Sequence, residues 1–99
     1  MQKIPKIIRG ELLCLEMDDH YIKVHTDKGQ HLLLMRMKDA IKELEGHKGL
    51  QTHRSWWVSE KAINGSIKEG RKVTLNLKKN IIVPVSRTYL PELKVRSLL

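Results

Sequence analysis

Among the 99 residues of this chain, five histidines, one cysteine, Ser55, Ser86 and the adjacent Asp18 and Asp19 are the side chains whose types could support catalysis or metal binding. His20 and His25 are five positions apart, an offset that sets them on opposite faces of a regular strand. No HxH, HExxH or CxxC spacing occurs, and a metal site needs convergent ligands. The histidines are therefore expected to be ordinary surface residues, with no metal and no cofactor. Ser55 and Ser86 lie near histidines in sequence but have no GxSxG elbow, no SxxK pair and no orienting acid. Two neighbouring aspartates usually mark a solvated turn. Cys14 stands among Leu12, Leu13 and Leu15, which suits a small buried apolar side chain rather than a reactive thiol. No catalytic constellation emerges, so an enzyme is not expected.

Size and charge then limit what else the chain can do. A domain of 11.5 kDa buries only roughly two-thirds of its unfolded surface, enough for one modest core and too little for a large cofactor cavity. Nineteen Lys and Arg against eleven Asp and Glu leave a formal net charge of +8, which favours a polyanionic partner. Nucleic acid is the first candidate and an anionic membrane surface the second. The basic residues form no single block, and taken singly most are solvated. The lone cysteine excludes an intramolecular disulfide and fits a reducing, cytoplasmic compartment. The longest apolar runs, at 32–35 and 81–85, are far too short to span a bilayer, so any membrane tether would lie beyond these residues.

The elements that must position such groups are mostly strands. Residues 1–10, basic and interrupted by Pro5 and Gly10, are expected to form an arm or linker, with one domain over 11–99. Residues 12–17 are apolar enough for a strand buried on both faces. Residues 21–26 alternate Ile22 and Val24 against Tyr21, Lys23 and His25, and Asp27-Lys28-Gly29 turns them into a partner at 31–35. Met37, Ala40, Ile41 and Leu44 form the stripe of one interior helix that should stop at Gly46. The run 50–58 ends in aromatic and β-branched residues and is expected to contribute another strand, followed by a turn at 59–62. Its consecutive Trp56 and Trp57 must face opposite ways, so at most one can be core. Val73, Leu75 and Leu77 alternate with polar residues and pair, through Lys79-Asn80, with 81–85. Thr88 is placed to cap a short last helix, with Pro91 in its first turn and Leu90, Leu93 and Leu98 docking it.

Three motifs in this frame carry a resemblance. The run from Met17 through His20 to Thr26, then Thr52-His53-Arg54-Ser55-Trp56-Trp57-Val58, then Ile82-Val83-Pro84-Val85-Ser86-Arg87, resembles the LytTR family of bacterial DNA-binding domains. The likeness extends from about Gly10 to the C-terminus. It implies a mainly β fold of elongated, packed antiparallel sheets with one short interior helix and a short C-terminal helix. It also implies loops, not a recognition helix, reaching successive major grooves of direct repeats.

The positions that contact bases in the family hold His20, Arg54 and Arg87 here. Lys23, Gln51, Lys61, Ser86 and Thr88 are expected at phosphates. Arg can donate two N–H bonds to guanine O6 and N7, and phosphate contacts set register without reading sequence. The expected partner is double-stranded promoter DNA, with weak homodimerisation on it and an upstream receiver domain or membrane segment in a longer protein. The chain departs from the family pattern at Leu50, where an aromatic is common, at Gln51, where a basic residue is, and at Ser59, where Asn is usual. A different class of function, a non-catalytic module for RNA or an acidic protein, would use the same positive surface and an exposed Trp to stack unpaired bases.

Overall fold

The computed structural model describes Ile4 and residues 10–99. The expected arm at 1–10 therefore lies outside the described residues, apart from Gly10 and Ile4. Ile4 is fully buried, and its N–H donates to Glu43 Oε1 at 2.8 Å.

Among the described residues, eight strands make two antiparallel sheets. In the first, β1 (Leu12–Asp18), β2 (Tyr21–Thr26), β3 (Gly29–Leu34), β4 (Gly49–His53) and β5 (Trp56–Ser59) are ordered β3-β2-β1-β5-β4. In the second, β6 (Ile63–Glu69), β7 (Lys72–Leu77) and β8 (Ile81–Val85) are ordered β6-β7-β8. Helix α1 (Met37–Glu43) joins β3 to β4, and α2 (Leu90–Val95) follows β8. The principal extents, 40 × 25 × 24 Å, are those of an elongated body.

The five-stranded sheet is buried on both faces, which explains why β1 is apolar along most of its length. On one face Leu12, Leu15, Ile22, Val24 and Trp57 pack with Ile4, with Met37 and Ala40 of α1 and with Leu44 at its C-terminal end. On the other, Leu13, Cys14, Leu50 and Val58 meet Ala62, Leu75, Leu77, Val83 and Leu93. Strict alternation would not place Leu13 and Cys14 together. A register shift between Leu12 and Cys14 in the β1–β2 pairing does so, because a bulge resets which face the chain addresses.

Cys14 is fully buried, as its neighbours in sequence predicted. Burial, reinforced by the Glu16 carboxylate, pushes its thiol from 9.0 up to about 12. The folded state thus keeps a proton that the unfolded thiol releases. The stability this contributes is present below about 9 and is lost as pH rises toward 12. A thiol reagent at neutral pH is expected to label Cys14 only as fast as the domain unfolds. Rapid stoichiometric labelling of the folded protein would contradict this.

Four features differ from the sequence-based expectations. The run 50–58 is two strands, not one, because Arg54-Ser55 turns β4 back on β5. β6 was not foreseen: most of its residues are exposed, so it shows no alternation, and it exists as an edge strand paired to β7. Thr88 does not cap α2; the residue before the helix is Tyr89, without a side-chain cap, and the Leu90 N–H is taken by the Ser86 carbonyl at 3.1 Å. His25 is buried rather than a surface residue. Trp56 stacks beside it at 6.4 Å between ring centroids, Glu16 Oε1 accepts from its Nε2 at 3.2 Å, and Lys79 and Ile81 of the second sheet's last hairpin line a cleft with it. Alternation within one strand cannot reveal that a second sheet comes beside its polar face.

Candidate nucleic-acid interface

The antiparallel pairing sets three turns at one end of the molecule. β1 ends and β2 begins there, joined by Asp19-His20, since Asp18 pairs with Tyr21. β4 ends and β5 begins there, joined by Arg54-Ser55, since His53 pairs with Trp56. The Met17 N–H donates to the Ser55 carbonyl at 2.8 Å and ties the first turn to the second. The Ser86 N–H donates to the Thr52 carbonyl at 2.8 Å and brings the end of β8 beside the end of β4. His20, Arg54 and Arg87 are all exposed on these turns.

The Arg54 turn is built by its neighbours. Neither Arg54 nor Ser55 has a positive φ, so this is not the primed turn that two-residue hairpins usually adopt. A register shift between Gln51 and His53 accommodates the mismatch, leaving Thr52 as the extra residue of β4. Its carbonyl is thereby available to Ser86. The Ser55 N–H donates to His53 Nδ1 at 3.1 Å. Because a backbone N–H can only donate, that ring nitrogen is the acceptor and the ring proton resides on Nε2. The His of the His-Arg-Ser run therefore shapes the turn that projects Arg54. On the neighbouring turn Asp19 adopts φ 55, a conformation that Asp tolerates better than most residues.

Arg87 sits on the corner between β8 and α2, where the Ser86 carbonyl accepts from both the Tyr89 and Leu90 N–H groups at 3.1 Å. Of the residues expected at phosphates, Ser86 and Thr88 flank this corner. Lys23 lies on β2, three positions from His20 and partly buried. Gln51 lines a shallow cleft with Arg54, Met37, Lys38 and Ile41. Lys61 is not with them. It follows β5 at the far end of the sheet, where the Glu60 N–H donates to the Lys48 carbonyl at 3.0 Å.

Two basic residues missing from the sequence-derived set belong here. Arg36 shares a cleft with His20, Met17, Leu34, Met35 and Asp39, and Lys38 shares the Arg54 cleft; both are exposed. Their position follows from α1 starting beside the turns, which helix periodicity alone does not disclose. No group of three or more His, Cys, Asp or Glu side chains among the described residues is arranged to hold a metal ion, and no described helix is long and apolar enough to cross a membrane.

This is a mainly β domain that presents basic side chains from tight turns at one end, a layout suited to a polyanion such as nucleic acid. The model of the LytTr DNA-binding domain matches residues 3–97, so the chain belongs to the LytTR family, whose members are non-catalytic DNA-binding output modules. Its fold is similar to that of the LytTr DNA-binding domain of a protein from Bacillus cereus described as a methyl-accepting/DNA response regulator. That similarity has a TM-score of 0.73 at 20% identity over 89% of this chain and 80% of the other. No curated protein matches the chain.

Proposed function

We propose that the domain binds double-stranded DNA sequence-specifically as the cytoplasmic output module of a bacterial transcriptional regulator, its turns entering successive major grooves at direct repeats. One observation carries this reading: His20, Arg54 and Arg87 stand exposed on three separate turns that backbone hydrogen bonds lock to one end of the two sheets. Arg54 and Arg87 are suited to guanine O6 and N7, and a His edge can exchange hydrogen bonds with a base. Asp18 and Asp19 are exposed around His20, which disfavours a phosphate and suits base edges, where a carboxylate accepts from cytosine N4. Lys23, Gln51, Ser86 and Thr88 supply backbone contacts, joined by Arg36 and Lys38. Signal input comes from a receiver domain or membrane segment elsewhere in a longer protein, and two copies on adjacent repeats associate weakly.

The RNA reading loses its stacking platform. Trp57 is buried and Trp56 is half-buried beside His25, leaving Tyr21 as the exposed aromatic ring of this end. Selection from random duplex DNA should enrich one repeated sequence. Its affinity should exceed that of random duplex and fall with salt at a log–log slope near ~0.9 per phosphate contact. Equal affinity for both duplexes at every salt concentration, or stronger competition by single-stranded RNA, would refute the proposal.

A further inference from the structure

Beside Arg87 the structure carries a second group of cations that the reading turns do not include. Val73 pairs with Val85 in the β7–β8 ladder, so the start of β7 lies at the end of β8 that leads into Arg87. Arg71 precedes Val73 by two residues and Arg87 follows Val85 by two, so both leave the same end of the β7–β8 pair. Arg71 is on the tip of the β6–β7 hairpin, after Gly70, whose φ of 62 makes the tight turn. Lys68 and Lys72 flank it on the two strands, and all three cations are exposed. Glu69, paired with Lys72, is the tip's single acid.

The charge is unevenly divided between the two ends of the row of turns. Around His20, Arg36 and Asp39 share its cleft, and Asp18 and Asp19 adjoin it in sequence. Around Arg87, three cations of the hairpin tip stand against one carboxylate. A DNA-binding surface draws most of its sequence-independent affinity from phosphates, so the Arg87 side is where this surface can supply it.

We infer that the β6–β7 hairpin tip, through Lys68, Arg71 and Lys72, clamps the DNA sugar–phosphate backbone next to the groove that Arg87 enters, extending the contact to one side only. This rests on the reading proposed above. The tip sets grip and not preference, because hairpin cations of this kind face phosphates and carry no base code.

The test is a comparison of wild type with the double variant Arg71→Ala, Lys72→Ala on the selected repeat duplex and on random duplex across a salt series. Both residues are exposed, so the thermal midpoint should stay within error and confirm folding. Binding to both duplexes should weaken several-fold by the same factor, and the log–log salt slope should fall by about 1.8. In a second series, duplexes are trimmed stepwise from one flank or the other. Wild type should lose affinity on trimming one flank at lengths the double variant does not notice, while trimming the opposite flank should affect both proteins alike. An unchanged salt slope in the variant, or trimming that affects the two proteins alike at both flanks, would overturn the inference. A wild type without preference for the repeat would instead overturn the underlying reading.

Discussion

Arg54→Ala and Arg87→Ala are each expected to reduce the preference for the repeat duplex over random duplex by ~1–3 kcal/mol, while binding to random duplex weakens by far less. On the proposed reading each guanidinium would donate two parallel N–H bonds to one guanine, and a wrong base would leave that fork unpaired. The main-chain scaffold should survive both changes. The Arg54 turn is held by the His53 ring, by the Met17 N–H and by strand pairing on either side, and the Arg87 corner by Ser86, so neither uses the arginine side chain. Arg54→Lys sharpens the test, since a lysine keeps the charge and loses the planar fork. It should keep the wild-type salt slope without keeping the preference. Binding ratios unchanged in both alanine variants, measured by titration at two salt concentrations, would remove these residues from base recognition. Lys61→Ala, at the far end of the sheet, serves as the neutral comparison and should leave both affinities near wild type.

Trp57→Ala is expected to cost about 3–5 kcal/mol, a large part of the ~5–15 kcal/mol that a domain of this kind has in total. The Trp57 ring fills the core under α1 and is 3% exposed. It also explains Gly49 at the start of β4: a β-carbon there would overlap the ring directly. Gly49→Ala should therefore destabilise by roughly 1–3 kcal/mol through overpacking. The two changes should not add. With the ring gone the alanine methyl has room, so the double variant should be less destabilised than the sum of the singles, read from urea midpoints. Strict additivity would mean that the glycine is needed for another reason.

What could be read in advance follows the range of the interactions involved. β2, its hairpin with β3, the stripe of α1 and the β7–β8 hairpin depend on periodicity and turn residues within a few positions, and the residues carry that information. The exposure of His20 and Arg87 was likewise legible, since both adjoin expected strand ends. Long-range packing was not. That His25 is buried beside Trp56 and Glu16, that Lys61 is carried to the opposite end, and that Arg36 and Lys38 lie beside the turns all depend on how layers and helix dock. The split at Arg54-Ser55 was hidden for a local reason. Neither residue is a Gly, Asn, Asp or Pro and Ser55 is only a weak turn former, so the composition offers little turn signal, and the bulge at Thr52 that makes the turn feasible has no sequence mark of its own.

The hydrogen bond from Ser86 to the Thr52 carbonyl, with its counterpart from Met17 to Ser55, makes the distances between the three turns a property of the two sheets. On the proposed reading the domain would act as a ruler of fixed length. A duplex whose helical phase does not match must twist or bend to meet it, at an energy set by the stiffness of steps the protein never touches. Base pairs between the contacted grooves should accordingly influence affinity, with flexible pyrimidine–purine steps there favoured over rigid A-tracts even though no side chain reaches them.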